Sequence, residues 1–334
     1  SRVQNIIVDL VNNAGSDRIG SAAITSSSLN LAAADSIFDQ LGDLVSFSNK
    51  LYLSQYLNWT AVDTAQAAGP QPAALISGFD ATHNMGYVMC RGPLIYYSPN
   101  GTQWIYVTTL ISGTVGIFDG FFYNGTFFIC GMALSMTDTV FYTSTDPSNP
   151  ASWTLVYTLP GHHVYGFCKS SNPGSDYLGC GTVIATTHAC IMTITSGTPW
   201  TYSVKADVNA SGAYFTRIKS HNTTTPSHVA IGQNGLLYAS FGAATSWFSQ
   251  SVSPVPSPTP TYMDIDVNPI GRGWHIVGSG GVHVYTYGGV TAGWNLSLIS
   301  LLSAEWGSQS NYNFRSVACC QDIGGLFVIG AEDT

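Results

Sequence analysis

Four aspartates stand at comparable places in successive segments of this 334-residue chain, each beside an aromatic residue or Met. They are Asp39, Asp80, Asp119 and Asp264. If the segments that carry them surround one axis, their carboxylates would form a ring of the hard oxygen ligands that hold cations. The alternative is that each Asp accepts backbone N–H hydrogen bonds at the end of a strand. We favour this second interpretation.

The other reactive residue types do not converge on a catalytic or metal-binding pattern. His162 and His163 are neighbours, so in a strand their side chains point to opposite faces and make a poor chelate. The sequence contains no Gly-Lys-Ser/Thr phosphate loop, no Gly-x-Ser-x-Gly elbow and no Cys-x-x-Cys pair. We therefore predict that the protein has no cofactor and no metal.

Tryptophans recur along the chain at steps of about 47 residues. Each follows a β-rich run that ends near Gly, a second apolar run that reaches Ser or Thr, and a turn of small residues. We expect each indole to pack between adjacent sheets. The recurrent positions are Trp59, Trp104, Trp153, Trp200, Trp247 and Trp294.

The second of these repeats shows the underlying pattern. Residues 74–80, 87–90, 94–98 and 104–107 are apolar runs rich in β-branched and aromatic residues, separated by Gly, Asn and Pro. Such runs predict strands, and four strands in about 47 residues make one blade of a β-propeller. The sequence therefore predicts an all-β propeller with seven blades. A ring of six blades with extra strands is the alternative.

The seventh repeat begins but is incomplete at the C-terminus of the sequence. We expect the N-terminal arm, residues 1–32, to supply the strands that close this last blade against the C-terminal strands. The Pro-rich stretch 253–260 falls between two repeats, and we interpret it as a stiff connection within the domain, with a partner-docking polyproline segment as the alternative. Residues 1–334 are thus predicted to form a single propeller domain.

Composition limits the classes of partner. Only 8% of the residues are charged, and the net charge is −8 with ten Lys and Arg. Nucleic-acid binding needs cations that displace phosphate counterions, so we predict no nucleic-acid partner. No apolar run is long enough to span a bilayer, so we predict no membrane insertion. A weakly charged surface suits a protein whose flanks are covered by neighbours, and we expect an oligomeric assembly.

Two turns resemble a known structural motif. In the segment 98–104, Ser98, Gly101 and Trp104 match the pattern Ser-x-Asp-x-Gly-x-x-Trp, with Asn100 at or beside the Asp position. In 144–153 the Ser, Asp and Trp match while the Gly is lost. This pattern resembles the Asp-box, or BNR repeat, of sialidase-like propellers. In that family the box is structural, so the resemblance implies the fold and not the chemistry.

Sialidase-like hydrolysis would require an arginine cluster, a Tyr nucleophile with a Glu partner, and an acid/base Asp. Only Glu305 and Glu332 are available as the Glu. A sialidase-like glycoside hydrolase is therefore one alternative to the non-enzymatic function considered next. The candidate arginines are Arg91, Arg217, Arg272 and Arg315.

The low charge and the abundance of Ser, Thr, Gly and Ala also resemble, more loosely, propeller-type proteins of bacteriophage virions. We therefore expect a non-enzymatic virion protein, structural or for host attachment, whose partners are other virion proteins or a host-surface glycan or receptor. A secreted, extracellular lectin is a further alternative. The expected contact residues are Arg91, His162, Glu305, Trp306 and Tyr312.

Overall fold

The computed structural model describes residues 45–47, 50–52, 74–80, 82–101, 103–109, 114–171, 176–221, 226–268, 273–286, 290, 293–297, 312–319 and 327–333. Strands dominate these residues, with three short 3-10 turns at Pro150–Ser152, Gln233–Gly235 and Ser279–Gly281. The strands are β1 (Val45–Phe47), β2 (Lys50–Tyr52), β3 (Ala74–Phe79), β4 (Asn84–Arg91), β5 (Leu94–Ser98), β6 (Ile105–Thr109), β7 (Thr114–Tyr123), β8 (Thr126–Ala133), β9 (Thr139–Ser144), β10 (Thr154–Leu159), β11 (His162–Lys169), β12 (Tyr177–Val183), β13 (Ala189–Thr195), β14 (Thr201–Val208), β15 (Phe215–His221), β16 (Ser227–Gly232), β17 (Leu237–Phe241), β18 (Phe248–Ser249), β19 (Val252–Ser253), β20 (Tyr262–Asn268), β21 (Gly273–Gly278), β22 (Val282–Thr286), β23 (Trp294–Ser297), β24 (Tyr312–Cys319) and β25 (Phe327–Asp333).

Successive strands pair in chain order to form antiparallel sheets of four. These sheets are β3–β6, β7–β10, β11–β14 and β15–β18, which we call the second to fifth blades. The sixth blade, β20–β23, has β19 added in parallel beside β23. The strand pairs β1–β2 and β24–β25 form two further sheets, in the first and seventh repeats. The prediction of an all-β fold built from four-stranded repeats is confirmed.

The sheets are arranged around a common axis. The first strand of each blade packs on the first strand of the next, in the order β3, β7, β11, β15, β20 and β24. Such radial packing of four-stranded meanders is the architecture of a β-propeller. Seven blades remain a prediction, because the N-terminal arm 1–32 that was expected to close the ring lies outside the described residues.

Alternating side chains of each blade fill the space on its two sides. In β8, Phe127 and Ile129 pack against the second blade, whereas Phe128 and Cys130 pack against the fourth. This period of two is what a strand buried on both faces requires. Full burial of one such aromatic side chain contributes about 1.5–3 kcal/mol.

The recurrent tryptophans occupy one structural position. Each recurrent Trp in the described part stands at the start of the fourth strand of its blade, directly before or at the first residue of β6, β10, β14, β18 or β23. Four of them lie in the core cluster between their own blade and the preceding one: Trp153, Trp200, Trp247 and Trp294. The Trp294 side chain is only 1% exposed, whereas that of Trp104 is half-buried. Trp59 lies outside the described residues.

Four of these indole N–H groups are anchored in the turn before the fourth strand. Trp104 Nε1 donates to the Gly101 carbonyl at 3.2 Å, and Trp294 Nε1 donates to the Val290 carbonyl at 3.3 Å. A buried Trp needs such an acceptor for its N–H. The bond therefore couples the turn between the third and fourth strands to the packing between blades.

Recurrent glycines near the end of the second strand have a steric cause. A Cβ at Gly181 would overlap the carbonyl oxygen of His163, and one at Gly232 would overlap that of Tyr214. In both places the first strand carries a register irregularity opposite the glycine. The bulged backbone comes so close that only glycine fits.

Candidate functional site

The first strands of the third to seventh repeats carry β-bulges at matching positions, at the end of the axis where the chain enters each blade, which we call the mouth. The extra residues are Phe118, Tyr165, Thr216, Met263 and Arg315. A bulge re-aims side chains, and bulges are enriched next to functional sites. At this mouth they place bulky side chains of neighbouring blades in contact with each other.

Three aromatic rings and an imidazole form what we call the mouth cluster: Phe118, His163, Tyr165 and Tyr214. The ring centroid of Tyr165 lies 4.9 Å from that of Phe118 and 4.6 Å from that of Tyr214. All four side chains are half-buried. Half-exposed aromatic rings with polar tips are suited to contact the flat faces of sugars or a protein partner.

Hydrogen bonds hold the cluster in place. His163 Nδ1 lies 3.2 Å from the Tyr165 hydroxyl, and its Nε2 lies 3.0 Å from the Met136 carbonyl. Burial, together with the neighbouring Tyr214 phenol, raises the pKa of Tyr165 to about 12. The Tyr165 phenol is therefore neutral at physiological pH and able both to donate and to accept a hydrogen bond. Met136, whose carbonyl holds His163, is 59% exposed, as is Leu134 in the same turn.

A layer of charged side chains lies next to the mouth cluster. Asp119, Arg217 and Asp264 occupy the same register position, directly after the bulge, in three different blades. Gly166 has this position in β11, where a Cβ would meet the Arg217 Cα at 2.7 Å. The missing side chain lets β15 approach β11 closely.

Arg217 links the charged layer to the mouth cluster. Its guanidinium donates to the Tyr165 carbonyl at 3.2 Å and to the Thr216 carbonyl at 3.1 Å. Although burial works against its charge, the carboxylates of Asp119 and Asp264 raise the pKa of Arg217. The guanidinium is thus held by internal partners and charges.

The aspartates of this layer accept hydrogen bonds from the next blade. Asp119 accepts from the Phe167 N–H at 2.9 Å, and Asp264 accepts from the Val317 N–H at 3.0 Å. Burial raises the pKa of both carboxyl groups, and the Arg217 charge opposes this shift. Their geometry is that of backbone acceptors between strands.

Two more charged residues follow one step along the same face. Lys219 forms an ion pair with Asp266, whose other oxygen accepts from the Cys319 N–H at 2.7 Å. Asp266, like Asp264, therefore connects the sixth blade to β24. Aligning the first strands at the bulge would have found Lys219 and Asp266 in the sequence, since they occupy equivalent positions.

The alternative of a cation-binding ring of four aspartates does not form among the residues that the structure describes, whereas the favoured role of backbone acceptor is seen at Asp80, Asp119 and Asp264. In the second blade, the position equivalent to Asp119 is held by Ala74, because each pairs with the corresponding Cys of the second strand. Asp80 lies at the opposite end of β3. Asp80 instead accepts from the Thr82 and His83 N–H groups at 2.8 Å each, which lowers its pKa to about 2. Asp39 lies outside the described part. Within that part, no group of three His, Cys, Asp or Glu side chains is placed to hold a metal ion.

The expected contact residues are not brought together as one described surface. Arg91 is half-buried at the end of β4. His162 is buried, with Nδ1 2.8 Å from the Pro160 carbonyl and its ring against Tyr202, so its neighbour His163 is the one that reaches the mouth. Tyr312 opens β24 opposite Asp333. Glu305 and Trp306 lie outside the described residues.

Two of the arginines considered for hydrolysis lie near the mouth. Arg217 is held in the charged layer, and Arg315 donates to the Met263 sulfur at 3.7 Å from its bulge position. Arg272 lies outside the described residues. The mouth cluster was missed from the sequence, because a bulge breaks the regular alternation by which strand faces are assigned.

Solved structures that resemble this chain are β-propeller proteins. Saccharomyces cerevisiae Sqt1 matches with 11% identity and a TM-score of 0.51, covering 78% of this chain and 69% of that one. The WD40 propeller domain of Doa1 matches with 12% identity and a TM-score of 0.51, covering 78% and 75%. A mutant of the arabinofuranosidase Arb93a of Fusarium graminearum, in complex with an iminosugar inhibitor, matches with 11% identity and a TM-score of 0.51, covering 78% and 88%.

No protein-family model matches the sequence. No curated protein matches it either. None of the helices in the described part is long and apolar enough to cross a membrane. At such low identity, the three structural matches show a shared fold, and that fold is the β-propeller.

Proposed function

We propose that this chain is a non-enzymatic recognition propeller whose mouth cluster binds a glycan or a protein receptor, as a host-attachment or structural component of a virion. The observation that carries this proposal is the row of half-buried rings Phe118, Tyr165 and Tyr214. Clustered aromatic rings give contact area at little entropic cost, and the Tyr165 and Tyr214 hydroxyls can orient a hydroxylated ligand.

The electrostatics of the mouth favour binding of a neutral ligand over acid–base catalysis. Arg217 faces the carboxylates of Asp119 and Asp264, and those carboxylates accept backbone N–H bonds of the next blade. Groups committed to such contacts position strands and are poorly placed to transfer protons. A glycan or an uncharged receptor surface therefore fits the mouth better than an acidic substrate.

An assembly of many copies suits the outer rim. Ile105, Leu155 and Phe248 on outer strands are 56%, 48% and 58% exposed, and few charges are available to guard these edges. Apolar edge strands in a monomer invite aggregation, whereas neighbours in a particle would cover them. The virion setting rests on these features and on the loose sequence resemblance, and the Asp-box relationship rests on the motifs at 98–104 and 144–153.

The test is a glycan array followed by calorimetry with the full chain. Tyr165→Ala is expected to weaken binding about tenfold or more, because one aromatic contact at the centre of a site contributes about 1.4 kcal/mol or more. Tyr106→Ala, on the outer strand β6, is the matched control and should leave affinity unchanged. Equal loss in both variants would contradict a site at the mouth.

A screen of fluorogenic glycosides separates binding from hydrolysis. Turnover that Arg315→Ala or Glu305→Gln abolishes would assign the chain to the sialidase-like glycoside hydrolases. Binding without turnover would support a receptor binder or an extracellular lectin. Finding the protein only as a multi-copy layer of a particle, with no glycan bound, would favour a purely structural role.

A further inference from the structure

The face that each blade turns toward the next blade is built from corresponding positions on its second and third strands. In the second to fifth blades these positions are all apolar, and every side chain lies in a core cluster between two blades. The sets are Val88, Cys90 and Ile95; Phe128, Cys130 and Phe141; Leu178, Cys180 and Ile191; and Val229, Ile231 and Leu237.

The sixth blade departs from this pattern at two of its three positions. There His275 and His283 flank Val277, and they are only 1% and 2% exposed. His275 Nδ1 lies 3.1 Å from His283 Nε2, with the rings stacked at 7°. The fifth blade has Val229 and Leu237 at the same two positions.

The face that carries this pair meets the seventh repeat. Strands β21 and β22 pack against β24, and Asp264 and Asp266 bind the Val317 and Cys319 N–H groups of β24. We call this interface the seam. Within the described part, the positions compared above are apolar where the second to fifth blades face the next blade, whereas two of the three carry imidazoles at the seam.

We propose that the seam is an acid-sensitive latch, in which protonation of the His275–His283 pair releases β24 and β25 from the sixth blade while the other blade interfaces stay packed. Two neutral imidazoles share an N–H···N bond inside the closed seam. Adding protons places one or two charges there, and a buried charge is stabilised mainly by hydration once the interface opens.

The electrostatic surroundings of the pair also indicate that protonation favours the open seam. Burial lowers the pKa of His275 to about 4 and that of His283 to about 3, with the charge of the neighbouring imidazole adding to the shift of His283. For a base with a lowered pKa, the stabilising effect is complete above the unfolded value of about 6.5 and is lost as the pH falls toward the folded value. The pH range in which the pair stops stabilising the closed seam therefore lies below about pH 6.5.

Other ionisable groups around the seam modify this response. Asp266, paired with Lys219, favours the protonated form of His275, and Tyr285 stacks on His283. Burial raises the pKa of Asp264, whose main counter-charge is Arg217, so its protonation favours the closed seam and opposes the histidines. Cys319 and Arg315 lie on β24, and Glu332 and Asp333 lie on β25. A test must therefore isolate the imidazoles.

Native-state hydrogen exchange of the full chain at pH 7.5, 6 and 5 supplies that test. After correction for the intrinsic exchange rate, the opening constant of β24 amides should rise roughly tenfold or more between pH 7.5 and pH 5. Amides of β11–β14 should change far less. A uniform response of all blades in the wild-type chain would overturn the proposal without any variant.

The variant His275→Val/His283→Leu copies the fifth blade into the sixth. It should keep the seam closed at pH 5, whereas His188→Ala, which removes a surface imidazole of the fourth blade, should behave as wild type. Persistence of the acid response in the double variant would assign it to the carboxylates and overturn the latch. A second result would also overturn the latch. If Zn²⁺ raised the Tm of the wild type and of His188→Ala but not that of the double variant, the histidine pair would be a metal site.

Discussion

Asp119 in the third blade accepts a hydrogen bond from the backbone N–H of Phe167 in the fourth blade, at 2.9 Å. Asp264 and Val317 repeat the same relationship between the sixth blade and β24, at 3.0 Å. The first strands of neighbouring blades are not paired as a sheet, so their inward N–H groups need other acceptors. Carboxylates from the adjacent blade satisfy this need, and they link the blades near the axis.

Replacing Asp119 should weaken the ring. Asp119→Leu removes the acceptor of the Phe167 N–H and should lower the free energy of unfolding by about 1–3 kcal/mol in urea. Asp119→Asn keeps a carbonyl oxygen and should cost less. Asp207→Ala, at a 54% exposed side chain of β14, is the control. If Leu and Asn proved equally costly, the hydrogen bond would not be the source of the effect.

Glycine at the bulge should be sterically required. Gly181→Ala places a Cβ against the His163 carbonyl oxygen, and we expect a loss of about 3 kcal/mol or more in the free energy of unfolding. Gly212→Ala is the comparison, because that residue has φ +85° with open space around it and should cost only about 1 kcal/mol. Similar losses, by thermal or urea unfolding, would refute the close approach of β11.

The recurrent tryptophans should differ in their contribution to stability. Trp294→Ala removes a side chain that is 1% exposed and should lower the free energy of unfolding by about 3–5 kcal/mol. Trp104→Ala, at a half-buried indole, should cost clearly less. Urea unfolding followed by circular dichroism measures both. Equal costs would mean that burial between blades does not set the contribution.

Thiol reactivity should report the closed interior. Burial raises the pKa of Cys90 and Cys190 to about 12, and that of Cys130, Cys168 and Cys180 as well. A variant with Cys319→Ser and Cys320→Ser keeps five of the seven cysteines. It should not react with a thiol reagent at pH 8 while folded, because thiolates are the reactive form.

The same variant should release all five thiols when it is unfolded in guanidinium. Rapid labelling of the folded variant would contradict the burial of Cys90, Cys130, Cys180 and Cys190, or the raised pKa of the half-buried Cys168. Labelling of fewer than five thiols after unfolding would contradict their free state in the structure. Cys168 lies opposite Leu178 in the β11–β12 ladder, so no cysteine faces it across that strand pair.

Much of the fold could be predicted from local sequence alone. The four runs of the second repeat correspond to β3, β4, β5 and β6, because strand length, alternation and turn residues are local properties. The candidate site was less accessible. Asp80 and Asp119 look alike in sequence, yet the register of β3 and β7 places them at different levels.

The order of residues along the chain specified the repeat: its period, its strands and the Trp that opens each fourth strand. Packing in three dimensions set what meets across the blades, including the mouth cluster around Tyr165, the carboxylate bonds to neighbouring N–H groups, and the histidine pair His275–His283 at the seam. The cause of this division is register. One extra residue at a bulge changes which side chains share a face, and contacts between blades depend on that count far more than on local propensity.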